Sequence, residues 1–588
     1  MSKSGPRIAS RLKGGWRTKK CIAQAGWENK EIRFVITLNK QGELILLEDT
    51  EEIIERKKRA KRFRIPQSVK RSSGIAANLL WDNPEYVFGV ALPKRQEKST
   101  DPDQAVKQKE RTQAQHKAFL QRIDDLHLGT DEGIGAVLAF LKNEQTVPIL
   151  VSRFPDIWKE VLESGGNITF RLQGDDALVC NRPVVQRSIA LSLDSAAKDI
   201  RCLITGEEDS LAETHAAIKG VWGAQSTGAN IVSYNAAAFC SFNKKQGANA
   251  PIGRAAEFAY TTALNALLDK DSLQRIQVGE ASTVFWSDKQ TDFVDQFAVL
   301  FAEPAKDDPD RHTRAVRTLL EAPQSGVLPA SDQSDVTFFV LGLSPNASRL
   351  AVRFWHRAPL AEMKGKIRQH FQDLQIVHGP KDRLVLSLFR LLTTTATQGK
   401  SENIPPNLEG DMMRTILEGL PYPDSILQAA IRRIKAEREI PPIRAALIKA
   451  CINRRARFGK HKPQEELTVS LDPTNPSIGY RLGRLFATLE KIQEEANPGI
   501  TATIRERYYA AASSSPVTVF GRLMTLKNHH LAKLDSPGRR INLEKVIGEI
   551  MAGVRDFPAH LPLDEQGRFA IGYYHQRQDF FTKKEKQD

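Results

Sequence analysis

The 588-residue chain has few cysteines and no hydrophobic run long enough to cross a bilayer. A spanning helix needs about 20 apolar residues, and the N-terminal sequence MSKSGPRIASRLKGGWRTKK lacks the apolar core of a signal peptide. The five cysteines form no Cys-x-x-Cys pair and no Cys/His cluster of zinc-finger spacing. We therefore expect a cytoplasmic protein with no membrane contact and no structural zinc.

Sequence signatures of common enzyme classes are incomplete as well. The string nearest to a phosphate-binding GxxxxGK[ST] loop, Gln398–Ser401, has Thr394 where the first glycine belongs. In Gly223–Gly228 the serine lies one residue too far along for a GxSxG nucleophile elbow. The adjacent His529 and His530 fall on a predicted helix, where neighbouring side chains point about 100° apart and cannot chelate one metal ion. We predict a binding protein with no catalytic site, no bound metal and no cofactor.

Positive charge is in excess and is unevenly distributed. The chain carries 85 Lys and Arg against 70 Asp and Glu, a net charge of +15, which favours a polyanionic partner such as nucleic acid. Residues 1–73 carry 19 basic against 8 acidic residues, and seven of the nine residues from Arg56 to Arg64 are basic. This block could neutralise several phosphates, although a solvated basic face is an equally open interpretation.

Hydrophobic periodicity predicts an α+β, multi-domain fold. We expect a mixed α/β N-terminal region with antiparallel sheet elements, followed by a C-terminal helical bundle. Predicted strands are a hairpin over 31–47, a β-prone block over 78–92, and segments at 167–172, 283–287, 336–343 and 350–355. Predicted helices lie over 116–127, after Pro251, and through most of the chain beyond residue 361. The expected divisions are 1–25, 26–360 with a possible subdivision near 91–200, and 361–588.

A polar loop ahead of the Pro251 helix is the strongest candidate for nucleic-acid contact. It presents short amides, two ammonium groups and a glycine: Asn243, Lys244, Lys245, Gln246, Gly247 and Asn249. Amides can match base-edge acceptors, lysines can hold phosphates, and glycine admits close backbone approach. The alternative is an ordinary strand-to-helix turn. A second glycine and amide loop, with Lys219, Gln225 and Ser226, could converge on the same duplex.

Several ordered segments resemble one known family. They are Cys202–Gly206, Ile218–Val221, Gly223–Ser226, Val232–Asn235, Gln246–Pro251, Phe258–Asn265, Thr283–Trp286 and Leu343–Leu350. Together they closely resemble the large subunit of the type I-C CRISPR surveillance complex, Cascade, from about Gly26 to the end of the chain. The resemblance implies a non-enzymatic subunit that assembles with a CRISPR RNA, repeated backbone subunits, a cap subunit at the 5′ end of that RNA, and small subunits.

The resemblance also implies a role in target DNA recognition. Large subunits of this kind inspect the protospacer-adjacent motif, commonly 5′-TTC, open the neighbouring duplex, hold the displaced strand and help recruit the helicase-nuclease. Protein then inspects a short flanking motif while RNA pairing tests the remaining sequence. On this basis we assign Asn243 and Asn249 to base-edge or minor-groove contact, Lys244 and Lys245 to phosphate, and Gln246 to the first opened base pair.

The family pattern extends to a second block that includes Lys70, Arg71 and Asn78. We expect phosphate contact from the two basic residues, whereas Asn78 could line the duplex or brace the following turn. Residues 1–25 depart from the family pattern, because they are basic and weakly helical where the family has an apolar, tyrosine-rich helix.

The C-terminal part, 470–588, resembles a small subunit that the family can translate separately; here an internal start near Val469 would need a non-AUG codon. Basic residues of this part are candidates for guiding the displaced strand, or are simply solvated: Arg481, Arg484, Arg505, Arg507 and Arg522.

Two other functions remain open. One is a nuclease of the same system, which a divalent-metal cleavage assay would reveal, and the other is a purely architectural subunit with no preference among flanking motifs.

Overall fold

The computed structural model describes residues 24–54, 57–69, 71, 74–93, 102–194, 198–303, 308, 310–321, 336–379, 382, 384–405, 407–459 and 466–581. Most of the basic N-terminus and Lys70 therefore lie outside the described residues. The chain forms two compact units. The first comprises residues up to Ala216 together with Val232–Leu264, and the second comprises Ala217–Ile231 and the chain from Asn265 onward. This division differs from the predicted boundary near residue 360.

The first unit contains a mixed sheet and shorter strand pairs. Its strands are Trp27–Glu31, Phe34–Leu38, Leu44–Asp49, Glu51–Ile54, Lys57–Ala60, Arg62–Pro66, Trp81–Asp82, Ile168–Leu172, Ile200–Arg201 and Glu208–Asp209. Phe34–Leu38 pairs antiparallel with Leu44–Asp49 and parallel with Ile168–Leu172. The hairpin predicted over 31–47 is thus confirmed. Its turn is held by Asn39, whose Oδ1 accepts hydrogen bonds from the backbone of Gln41 at 3.0 Å and Glu43 at 2.8 Å.

Helices cover this sheet and bury a continuous apolar core. The helices of the first unit are Pro84–Phe88, Pro102–Asp124, Glu132–Lys142, Thr146–Arg153, Pro155–Ser164, Pro183–Asp194 and most of Arg254–Leu267. The helix predicted over 116–127 and the helix predicted after Pro251 are confirmed, as is the strand at 167–172.

The β-prone block predicted over 78–92 is largely wrong. Only Trp81–Asp82 is a strand, and Pro84–Phe88 is a short helix. The Asn83 side chain accepts a hydrogen bond from the Tyr86 backbone at 3.2 Å, and proline occupies the first turn. Because asparagine is a favoured N-cap and proline fits the first helical position, the Asp-Asn-Pro sequence begins a helix here.

The second unit is built around a four-stranded antiparallel sheet whose strands are adjacent in chain order. These strands are Arg275–Val278, Ala281–Ser287, Thr337–Asn346 and Arg349–Pro359, as predicted for the last three. Aromatic side chains of the sheet, including Phe285 and Phe338, belong to the same hydrophobic core as the C-terminal helices. The sheet and the helices that follow it thus contribute to one core, and the domain boundaries expected from the sequence stay predictions.

Beyond Pro359 the regular elements among the described residues are all helices, as predicted. The helices of the second unit are Phe293–Phe301, Arg311–Glu321, Leu360–Leu374, Leu388–Thr393, Leu408–Glu418, Asp424–Glu437, Pro442–Phe458, Ile478–Ala496, Ile504–Ala512, Phe520–Ala532, Pro537–Met551 and Leu563–Phe581. The apolar stripe from Leu482 to Ile492 is buried in the core of the bundle.

Two of these helices, Ile478–Ala496 and Leu563–Phe581, pack at unusually short range. A Cβ atom on Gly483 would overlap the carbonyl oxygen of Phe569, and one on Gly572 would overlap that of Tyr480. The helix backbones can approach this closely only because these positions carry no side chain.

We predict that Gly483→Ala destabilises the protein by about 1–3 kcal/mol, because the added methyl group forces the two helices apart. Urea unfolding of the purified full chain measures the change. Gly548→Ala is the matched control, since Gly548 is a helical glycine in the same bundle with open space around its Cβ position. The control should be neutral or should gain about 0.5–1 kcal/mol from helix propensity. Equal losses in both variants would contradict the close-packing argument.

Candidate nucleic-acid interface

A continuous run of exposed residues, 235–246, precedes the Arg254–Leu267 helix in the first unit. We call it the amide loop. At its end, the chain forms a short 3-10 turn over Gln246–Asn249. The Gly247 backbone donates a hydrogen bond to the Glu213 carbonyl at 3.0 Å, and a Cβ atom there would overlap the carbonyl of Ala212. Glycine at this position therefore lets the end of the loop lie directly against a neighbouring segment of backbone.

Asn249 holds the amide loop together through three hydrogen bonds. Its Oδ1 accepts from the Ser241 backbone at 2.8 Å, and its Nδ2 donates to the carbonyl oxygens of Lys244 and Gln246, both at 3.0 Å. An asparagine amide has two N–H donors, and both are used here. This geometry does not support the prediction that Asn249 contacts a base, because its donors are already committed to the loop.

Four other predicted side chains of the loop are available to a ligand. Asn243, Lys244, Lys245 and Gln246 are exposed, and their side chains make no hydrogen bond or ion pair with the described residues. The backbone is left-handed at Asn243 and Gln246, with φ of 58° and 42°. The loop thus presents two amides and two ammonium groups from one braced backbone.

Each of the two predicted loops also exposes an aromatic side chain, to which the sequence assigned no role. In the amide loop, Phe242 is 93% exposed. In the second loop, which spans 219–228, Trp222 is 67% exposed. Aromatic residues ordinarily indicate core positions. The signal that could have found Phe242 is its place among polar residues in Ser241–Gln246, with no strand or helix period to bury it.

The second loop belongs to the second unit. Ile218 and Ala229 pair as an antiparallel bridge at its base, and the Lys219 backbone donates to Asn265 Oδ1 at 2.8 Å. Lys219, Gln225 and Ser226 are exposed. Since the two loops lie in different units, their convergence on one duplex stays a prediction.

Asp82 organises the region around Arg71 and Asn78. The Arg71 guanidinium donates to the buried Asp82 carboxylate and to the Ala76 carbonyl, and it lies 3.9 Å from the Tyr86 ring centroid. Asn78 is buried, accepts from the Val69 backbone at 2.9 Å, and donates its own backbone N–H to Asp82 at 2.9 Å. The Asn78 side chain therefore holds the Val69 backbone, and only its backbone N–H contacts the following turn, so neither alternative for Asn78 is settled. The charge of Arg71 is largely matched by Asp82.

The basic segment Arg56–Arg64 is partly neutralised by acidic neighbours. Lys58 lies 3.6 Å from Glu51, Lys61 lies 3.2 Å from Glu52, and Arg62 lies 3.7 Å from Glu31. Antiparallel pairing of Glu51–Ile54 with Lys57–Ala60 brings opposite charges together across the hairpin. The local excess of positive charge is therefore smaller than the linear sequence suggests.

Comparison with known families identifies the chain. A sequence model of the family described as CRISPR-associated protein (Cas_Csd1) matches residues 8–581. The chain belongs to this family. The match confirms the resemblance to the large subunit of a CRISPR surveillance complex, and membership implies assembly with other CRISPR-associated subunits. A search of curated proteins found no match.

In this Csd1 protein, the arginines proposed for the displaced strand have different environments. Arg484 is 3% exposed and donates to Gln576 at 3.1 Å and to the Pro473 carbonyl at 3.0 Å. This geometry does not support its assignment to strand contact, because the guanidinium is buried and already bonded to protein oxygens. Arg481 is half-buried and donates to the Asn475 carbonyl at 2.8 Å.

Of the remaining three arginines, one is paired with a carboxylate and two are exposed. Burial by itself lowers the pKa of Arg505, but Tyr573 and Glu490 beside it raise that pKa overall. Arg505 is thus tied to a buried carboxylate. Arg507 and Arg522 are exposed and have no ion-pair partner among the described residues. Of the five predicted arginines, these two are both exposed and unpaired within the described residues, and their contact with the displaced strand stays a prediction.

In the described part of the chain, no three His, Cys, Asp or Glu side chains form a group that could hold a metal ion. No single described helix combines the length and apolarity needed to cross a membrane, although Glu132–Lys142 and Thr146–Arg153 pass together as a pair bent by 90°.

We predict that Asn249→Ala loosens the amide loop, because the Ser241 amide and the Lys244 and Gln246 carbonyls lose their shared partner. Hydrogen–deuterium exchange of peptides covering 235–250 should become faster while exchange elsewhere is unchanged. Gln246→Ala is the control, since its side chain makes no contact that holds the loop. Unchanged exchange in Asn249→Ala would show that the brace does not hold the loop in solution.

Proposed function

We propose that this Csd1 protein inspects the protospacer-adjacent motif of target DNA with its amide loop and promotes opening of the adjacent duplex for pairing with the CRISPR RNA. The observation that supports this proposal is the exposed loop 235–246, which is braced by Asn249 and leaves two amides and two lysines free. A short protein-inspected motif followed by RNA pairing is the general division of labour in RNA-guided recognition.

The side chains of the loop suit two separate tasks. Lys244 and Lys245 supply positive charge for phosphates, which contributes affinity but carries no sequence information. Asn243 and Gln246 each carry a donor and an acceptor, as recognition of base edges requires. We therefore assign phosphate contact to the lysines and motif discrimination to the two amides. This moves Gln246 from the first opened base pair to the motif itself, because its amide carries the same donor and acceptor groups as that of Asn243.

Further parts of the proposal concern the assembly. We propose a complex with CRISPR RNA, backbone subunits, a 5′-end cap subunit and small subunits, in which Arg507 and Arg522 contribute to holding the displaced strand. The complex then recruits the helicase-nuclease, and the Csd1 chain itself does not cleave DNA. Separate translation of the 470–588 region as a small subunit stays a prediction.

Replacing Lys244 and Lys245 together by Gln should weaken binding of a motif-containing duplex and flatten its salt dependence. Each lost phosphate contact reduces the log–log salt slope by about 0.9, so the double variant should lose about 1.8 if both lysines contact phosphate. Fluorescence anisotropy with the full chain at several salt concentrations measures both quantities.

The control for that experiment is the double variant Lys109→Gln and Lys117→Gln. Both lysines are exposed on the Pro102–Asp124 helix, so the net charge changes equally. A change in slope of the same size in both double variants would assign the effect to overall charge and would count against the amide loop.

Asn243→Ala and Gln246→Ala should reduce discrimination between duplexes with the preferred and altered flanking motifs. Loss of a base-edge contact removes about 1–3 kcal/mol of discrimination against the wrong base, while phosphate binding persists. Competition binding with 5′-TTC and single-base variants at fixed salt gives the ratio of affinities. An unchanged ratio in both variants would dismiss these assignments, and no preference in the unaltered protein would favour a purely architectural subunit.

A further inference from the structure

Phe242 is the most exposed large apolar side chain among the described residues, at 93% of its full accessibility. Its backbone φ is 52°, in the left-handed region that non-glycine residues rarely adopt. Burying a phenylalanine is worth roughly 1.5–3 kcal/mol, and Phe242 gains almost none of this. The ring also makes no aromatic or cation contact with the described residues. Local folding therefore does not explain this position of the ring.

The neighbours of Phe242 hold the ring outward. The Lys244 backbone donates to the Ser241 carbonyl at 3.0 Å, which closes a turn around Phe242 and Asn243. Asn249 bonds the backbone of Ser241 and of Lys244, one residue before and two residues after Phe242. Both ends of the turn are thus fixed by one side chain, and the aromatic ring projects from a braced backbone.

The charge around the ring indicates what could cover it. The ammonium groups of Lys244 and Lys245 follow within three residues and have no acidic partner among the described residues. An aromatic ring with adjacent free cations suits a ligand that carries planar rings on an anionic backbone, which is the chemistry of nucleic acid. A purely apolar partner surface would have to bury these two charges without compensation.

We propose that Phe242 is a stacking platform for one unpaired nucleobase beside the motif, where the duplex first opens. This inference rests on the proposed function and deepens it. Every base has a π-face, so stacking tolerates any sequence and supplies affinity for opened DNA without motif discrimination. An inserted or stacked apolar side chain can also offset part of the cost of separating neighbouring bases. Phe242 and the two amides therefore have separable contributions.

The first experiment compares Phe242→Leu with Phe242→Tyr. Leucine keeps an apolar side chain but has no ring, whereas tyrosine keeps the stacking face. With the full chain and a 5′-TTC duplex containing one mismatched base pair beside the motif, Phe242→Leu should bind about tenfold more weakly and Phe242→Tyr should bind like the unaltered protein. The salt slope should be unchanged in both variants, because no charge is altered.

The second experiment locates the base. A 5-iodouracil placed at the mismatched position and irradiated in the bound complex should cross-link to Phe242, as mapped by mass spectrometry, and the cross-link should disappear in Phe242→Leu. Phe389→Leu, at a 46% exposed phenylalanine of the second unit, is the control and should keep both affinity and cross-link.

The outcomes separate this inference from the proposed function. Wild-type affinity in Phe242→Leu, equal losses in the leucine and tyrosine variants, or a cross-link outside the amide loop would each overturn stacking by Phe242. If the Lys244 and Lys245 double variant still weakens binding in that case, phosphate contact by the loop survives. If neither the lysine nor the phenylalanine variants change binding, the proposed function fails as well. Because Phe242 is almost fully exposed, its variants should fold normally, which thermal unfolding checks.

Discussion

One asparagine side chain gives the amide loop its shape. Asn249 accepts from one backbone N–H and donates to two carbonyls, so it connects the middle of the loop to its end. A single hydrogen bond contributes only about 0.5–1.5 kcal/mol, but three that share one amide restrict a long exposed segment at once. Gly247 adds a second restraint, since its missing side chain lets the backbone reach Glu213. With the loop preorganised, binding would lose less conformational entropy.

Hydrogen bonds within the protein also distinguish charged side chains with structural partners from those that remain available to a ligand. Arg71 is matched by Asp82, and Arg484 by carbonyl and amide oxygens inside the bundle. Lys244 and Lys245, by contrast, have no partner among the described residues. Net charge indicates the class of ligand, whereas the pairing of each side chain decides which residues remain for it.

Three glycines allow close backbone packing, two of them in the helical bundle and one at the end of the amide loop. Gly483 and Gly572 bring two helix backbones together by removing steric bulk. Gly247 serves close approach as well, but against an irregular segment. In each case one added methyl group would displace backbone, which is why these three positions control local geometry more strongly than most exposed side chains do.

The sequence by itself determined the fold class, the Phe34–Asp49 hairpin, the last three strands of the antiparallel sheet and the helical C-terminal region, because periodicity and turn residues are local properties. It also determined the family through ordered motifs. Only the tertiary structure decided which contacts Asn249, Asn78 and Arg484 make, since these depend on partners that lie apart in the chain or on burial. It likewise revealed Phe242: residue type predicts burial, and only packing shows that a particular ring has nothing to pack against.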